Sequence, residues 1–222
     1  MQSIKPKWIK RILVLFIVIF ISYILYLNSL VKSQFSSEIE PKDNVVQIQN
    51  LIDDYPKELI NMLLLVEDQS FFNHKGVDFK EILRVLYGYL FEEKELRGAS
   101  TITQQLIKNT LLSSDKTLAR KTDEALMAIL MEMSYDKNFI LERYMNTVYL
   151  AQQGSTAIHG FASGSLHYFD KDVESLNLEE MATLVALLKG PSYYNPVNSP
   201  ERLSRRVEMI LSMHKNYKKI IQ

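Results

Sequence analysis

The sequence has no cysteine among its 222 residues. That excludes a disulfide framework, a thiolate nucleophile and a Cys-based zinc site. It leaves the redox compartment open, because an extracytoplasmic chain need not use cysteine. Glycine and proline are sparse, at 7 and 6, while 47% of residues are hydrophobic, so the chain is neither collagen-like nor disordered. An excess of one charge is missing too, since 26 basic residues balance 26 acidic ones. No nucleic-acid partner is expected of such a chain. Neither a Gly-x-x-x-x-Gly-Lys loop nor a dinucleotide fingerprint occurs, so no nucleotide or organic cofactor is expected. Histidines 74, 159, 167 and 214 have no metal-site spacing. Ser-x-x-Lys occurs at Ser113-Ser114-Asp115-Lys116 and at Ser134-Tyr135-Asp136-Lys137. Both lack the companion Ser-Asp-Asn and Lys-Thr-Gly motifs of acyl-enzyme chemistry and are chance matches.

What the chain does have begins at its N-terminus. Lys5, Lys7, Lys10 and Arg11 precede a run, residues 12–31, broken only by Ser22, Asn28 and Ser29. At ~1.5 Å per residue, about 20 helical residues span roughly 30 Å, the thickness of a bilayer's hydrocarbon core. A cleaved signal peptide would have a shorter apolar region and a small-residue cleavage site, and Tyr26-Leu27-Asn28-Ser29-Leu30 is a poor one. The chain is therefore divided into a cytoplasmic basic tail (1–11), a transmembrane anchor (12–31), a linker (32–49) and an outer domain (50–222). The positive flank keeps the N-terminus cytoplasmic. Without the tail's four cations, 22 basic residues face 26 acidic ones, so an anionic ligand must be held by a local cluster.

The outer domain shows helical signals. Asp53 and Asp54 precede Pro56 and an apolar run, 59–66, that ends at Glu67. Thr101-Ile102-Thr103-Gln104 fits a capping box. Leu126, Ile129, Leu130 and Met133 follow helical spacing, with Met127, Ala128 and Met131 opposite, so this helix is expected to be buried all round. Asn177 with Glu180 caps another helix, closed by Gly190-Pro191. Ser199-Pro200 starts the last, with Leu203, Val207, Ile210 and Leu211 as its stripe. No sustained period-2 run and no βαβ alternation appear. The fold class is all-α, or very nearly so.

Polar chemistry interrupts this pattern in three places. Glu67 and Asp68 follow the long apolar run and precede Phe71, Phe72 and His74. Acids at a helix C-terminus oppose the macrodipole, and aromatic surroundings raise a carboxyl pKa, which suits a general acid or base. An ordinary solvated helix end is the competing account. The second place is the stretch 98–109, where Gln104 pairs with Lys108, and Gln105 with Asn109, one turn apart. With Ser100 and Thr101 these groups suit sugar hydroxyls and phosphate oxygens, although a capped surface helix also looks like this. The third is Arg120-Lys121-Thr122-Asp123-Glu124, where two cations share a face with Glu124 and lower its expected pKa. Two carboxylates with divergent pKa values separate acid from base roles.

Together these stretches resemble the family 51 glycosyltransferases, the peptidoglycan glycosyltransferases found alone or as the N-terminal module of class A penicillin-binding proteins. The matching motifs are 67–76, 98–109, 120–124, 140–146 (Ile-Leu-Glu-Arg-Tyr-Met-Asn), Gly160 with Tyr168-Phe169-Asp170-Lys171, and Arg205-Arg206. They cover roughly residues 50 to 213. Ala99, Gly154-Ser155 and Ala162-Ser163-Gly164 depart from the usual glycine and alanine pattern and affect loop geometry more than chemistry. The chain stops after the last motif, which suggests the monofunctional form.

The resemblance implies a lysozyme-like helical lobe, a small membrane-facing lobe and a preceding transmembrane helix. It implies an enzyme that polymerises lipid II into glycan strands for cell-wall biogenesis and cell shape. Glu67 would be the general base toward the acceptor GlcNAc 4-hydroxyl, with Glu124 the second catalytic carboxylate. Ser100, Thr101, Gln104, Gln105, Lys108, Asn109, Arg120 and Lys121 would bind substrate. A divalent cation, Mg or Mn, with ligands not assigned, is expected from the family. The partners would be lipid II, a lipid-linked glycan, the bacterial plasma membrane and other cell-wall synthesis or division proteins. Between the first two motifs, Leu86, Tyr87, Tyr89, Leu90 and Phe91 read equally as core or as surface that dips into lipid. A catalytically idle membrane scaffold and a lysozyme-like hydrolase are the alternative functions.

Overall fold

The apolar N-terminal run, free of glycine and proline, forms one long helix, α1 (Lys7–Phe35). The computed structural model describes residues 7–36, 45–92, 98–113, 115, 117–217 and 220–221. Lys5 and the Lys7 side chain of the basic tail lie outside the described residues. α1 is long and apolar enough to cross a membrane. Its side chains divide along its length. Residues 8–23 are exposed, whereas Leu27, Val31 and Phe35, spaced i, i+4, i+8, enter the core.

The outer domain is mostly helical. α2 (Lys57–Glu67) is a central helix whose residues 59–65 are all buried. It starts at Pro56 with no side-chain cap, and Asp54 instead accepts from the Leu51 amide at 2.8 Å. α3 (Phe79–Phe91) follows, capped by Asp78. α4 (Ile102–Leu111) begins at the expected capping box of Thr101 and Gln104. α5 (Leu118–Ser134) and α6 (Lys137–Thr147) pack with α4, and the last turns of α1 lie on α4 and α5. α7 (Phe161–Phe169), α8 (Leu178–Leu187) and α9 (Pro200–Asn216) complete the helices, α8 and α9 both packing on α2. Asn177 and Glu180 form the predicted capping box of α8. In α9, Leu203, Val207 and Ile210 are buried as the spacing predicts.

The fold is helical as expected, with one small addition: β1 (Val45–Gln47), β2 (Tyr149–Gln153) and β3 (Thr156–His159) form a sheet of order β1-β3-β2. β3 pairs parallel with β1 and antiparallel with β2. These strands are too short for a period-2 signal, and β1 falls within the stretch assigned to the linker. The signal that was present is Gly154-Ser155, a two-residue hairpin turn with Gly154 at φ +59. One expectation needs correction: α5 is not buried all round. Met127, Ala128 and Met131 are buried, but Met133 is 78% exposed, because α4 and α1 cover only part of the helix.

Candidate active site

α2 carries its apolar side chains into the core and delivers Glu67 as its last residue, with Asp68 as C-cap. Glu67 Oε2 accepts from Gln105 Nε2 on α4 at 2.9 Å. The carbonyl of that same amide accepts from the Tyr144 hydroxyl on α6 at 3.1 Å, which sets the orientation of the amide. Burial, then the nearby Glu67 and Asp68, hold the Tyr144 phenol well above its ordinary pKa, so it donates at neutral pH. Glu67 Oε1 has no hydrogen-bond partner among the described residues, and the residue is part-exposed.

Asp68 turns the other way. Its carboxylate accepts from the Ile102 amide at 2.9 Å, a favourable anion at the start of α4. His74 Nε2 lies 3.0 and 3.1 Å from its two oxygens. Behind this pair, Glu132 Oε1 receives Thr103 Oγ1 at 2.6 Å and Lys137 Nζ at 2.7 Å. Burial pushes the Lys137 ammonium pKa down, against the raising effect of Glu132. A buried charge stays only where it is paired, and here Asp68 pairs with His74 and Glu132 with Thr103 and Lys137, the two sets meeting where His74 Nδ1 lies 3.6 Å from Glu132 Oε1. The network ties the ends of α2, α4 and α5 together directly behind Glu67. Gly76 closes it: at φ +87, an added Cβ would stand 2.5 Å from the Ala128 backbone.

Glu124, on the first turns of α5, is only 1% exposed. Arg120 Nη1 donates to its Oε2 at 2.9 Å, and Lys121 Nζ donates to Oε1. Lys121 also donates to Ser100 Oγ at 2.8 Å, which joins the start of the second motif to the third. Arg120 Nε is buried without a partner among the described residues, leaving a guanidinium donor unused. Lys108 and Asn109 are exposed on α4, and Lys108 is unpaired among the described residues.

The predicted site residues thus fall into four groups. Glu67 and Gln105 touch each other; Ser100, Arg120, Lys121 and Glu124 form a second corner; Lys108 and Asn109 stand free. Thr101 and Gln104 are both buried at the start of α4. Thr101 donates to the Gly76 carbonyl at 2.6 Å, and the Gln104 side chain accepts from the Thr101 amide, so both hold the helix start. Asp68, His74, Glu132, Lys137 and Tyr144 were not picked out as site residues. Glu132 had a visible signal, a lone carboxylate inside the apolar run of α5.

A divalent cation does not fit these residues. Among the described residues no group of three His, Asp or Glu side chains is placed to hold a metal ion, and both Glu124 oxygens are occupied by cations. Two hollows, lined by Ile48, Asn50, Asp172 and Glu174 and by Asp53, Asp54 and Tyr55, contain none of the site residues. Chemistry, not concavity, locates the site.

A family profile described as Transglycosylase matches residues 33–215. The chain is 40% identical over 178 residues to penicillin-binding protein 1B of Haemophilus influenzae, covering 80% of this chain and 23% of that protein. It is 43% identical over 159 residues to penicillin-binding protein 1B of Escherichia coli, covering 72% and 19%. With penicillin-binding protein 1A of Neisseria lactamica the identity is 45% over 161 residues, covering 72% and 20%. The chain spans about a fifth of the length of these curated relatives.

Proposed function

The chain belongs to the transglycosylase family of glycosyltransferases, and we propose that it polymerises lipid II into peptidoglycan glycan strands. Glu67 is the general base. Its free Oε1 takes the proton of the acceptor GlcNAc 4-hydroxyl, that oxygen attacks the anomeric carbon of the donor MurNAc, and the bond to the lipid diphosphate breaks. The leaving diphosphate keeps the bonding pair, and the linkage inverts from α to β-1,4. Gln105 and Tyr144 hold Glu67 in place, so the base is positioned before substrate arrives. Arg120, Lys121 and Lys108 offset the charge that develops on the diphosphate, with Glu124 orienting the first two.

The observation that carries this reading is the unlike setting of the two glutamates. Glu67 meets a neutral amide and keeps one oxygen free, whereas Glu124 is enclosed by two cations. Membrane substrates fit a chain with α1 at its start and an exposed apolar stripe on α3, which we place against the outer leaflet. The N-terminus lies in the cytoplasm and the catalytic domain outside. Tethering enzyme and substrates to one leaflet raises their effective concentration.

The test is incubation of the full-length protein with lipid II, with glycan polymer as the expected product. Absence of polymer, or degradation of finished glycan instead, overturns the assignment. Protease added to intact spheroplasts should digest the domain beyond α1, and complete protection would reverse the topology.

A further inference from the structure

α1 does more than tether the domain. The Tyr23 hydroxyl donates to Asp123 Oδ1 on α5, one residue before Glu124. Twelve residues further along both helices, the rings of Phe35 and Tyr135 meet edge to face at 6.4 Å. Two contacts with equal increments mean that α1 and α5 run parallel over this stretch. Leu27 and Val31 fill the seam between the two contacts. The start of α5 therefore points toward the membrane end of α1. Leu118, the first residue of α5, is 88% exposed, and it lies beyond Asp123 in that direction.

The depth of this contact follows from helix geometry. Charge holds Lys10 and Arg11 at the inner interface. From there to Tyr23 the helix rises only about 18–20 Å at ~1.5 Å per residue. The hydrocarbon core is roughly 30 Å thick, so the Tyr23–Asp123 contact falls within the outer leaflet rather than above it. A carboxylate at that depth is costly unless it is paired. Among the described residues, the only hydrogen bond to the Asp123 side chain comes from Tyr23.

We propose that Tyr23 is a positioning residue that, through Asp123, sets the depth at which Arg120, Lys121 and Glu124 meet the lipid-linked diphosphate. This rests on the function proposed above. The anchor and the diphosphate corner then form one rigid piece, and the anchor supplies depth as well as attachment. A flexible tether would bring the domain to the membrane without fixing the height of its cations relative to the lipid phosphates.

The absence of cysteine allows a single reporter in the full-length protein. Leu118→Cys carrying a polarity-sensitive fluorophore is reconstituted in phosphatidylcholine–phosphatidylglycerol vesicles and quenched by nitroxide placed on the acyl chain or on the head group. Acyl-chain quenching should dominate, and Tyr23→Phe should shift the balance toward head-group quenching. Tyr23→Phe, which keeps the ring, should also slow lipid II polymerisation in vesicles by about three- to tenfold, the range for one net hydrogen bond. Turnover in detergent micelles should not change, and thermal stability should fall by no more than the loss of one net hydrogen bond. Asp123→Ala should reproduce the loss, and the double variant should be no worse than either single one. An unchanged quenching balance in Tyr23→Phe overturns the proposal. So does an equal loss in micelles and vesicles, which would mark the contact as ordinary support of α5. If the unmodified protein makes no polymer, the catalytic reading fails, while the quenching comparison still decides what sets the depth.

Discussion

α2 and α3 are successive helices, both rich in leucine, with opposite fates. In α2 residues 59–65 are all buried, whereas α3 buries only Gly88 among the described residues. The difference lies in arrangement. α2 is apolar on every side and can be enclosed, and α8 and α9 both pack on it. α3 confines Phe79, Leu83, Leu86 and Leu90 to one stripe, adds Tyr87 and Phe91 at its edge, and places a Glu81–Arg84 pair on the polar side. Its stripe remains exposed in the folded domain. Apolar content alone thus does not decide burial; the medium that meets the stripe does, and for α3 we assign that medium to lipid.

The largest expected effect is at the end of the buried helix. Glu67→Gln should lower lipid II polymerisation by ~10²–10⁴ while leaving thermal unfolding unchanged, because loss of a general base has that magnitude. Polymer yield within a few-fold of the unmodified protein would remove Glu67 from the base role. Within the same helix, Leu63→Ala should destabilise the domain by about 2–5 kcal/mol in denaturant titration, the range for a leucine truncated in a closed core. A much smaller loss would mean that α2 is less enclosed than its burial indicates.

Exposed residues separate by whether a ligand meets them. Lys108→Ala should reduce turnover on lipid II by about tenfold or more, as for loss of a charge-assisted contact, with no change in stability. Near-normal polymerisation would free Lys108 from the diphosphate and favour a hydrolase or a scaffold. The smallest effect is expected on α3: Leu83→Ala should change stability in detergent by less than about 0.5 kcal/mol. A fluorophore on Leu86→Cys should show blue-shifted emission in vesicles. Emission typical of water would sink the lipid assignment of α3 and leave its stripe for a protein partner.

Local signals were the most legible part of the sequence. The capping boxes at Thr101 and Asn177 and the apolar stripe of α9 appear in the structure because they depend on residues three or four apart. So does the pairing of Arg120 and Lys121 with Glu124, one helical turn away. Gln104 shares a face with Lys108 by spacing, and the structure adds that its side chain is drawn inward by the bond from the Thr101 amide. The hairpin of β2 and β3 was hidden because its strands are short and its outer residues, Gln152 and Gln153, are polar.

By itself the sequence determined the long apolar helix at the start, the mostly helical domain and the two glutamates in family-like motifs. Each is written in composition, period or contiguous pattern. Only the tertiary structure decided that Gln105 joins Glu67 to Tyr144, that Asp68, His74, Glu132 and Lys137 form one buried series, and that Tyr23 reaches Asp123. These partners lie from 5 to 100 residues apart along the chain, and no local periodicity records them. Buried polar groups must find partners wherever the packed helices bring them, so their pairing is settled only when the core closes.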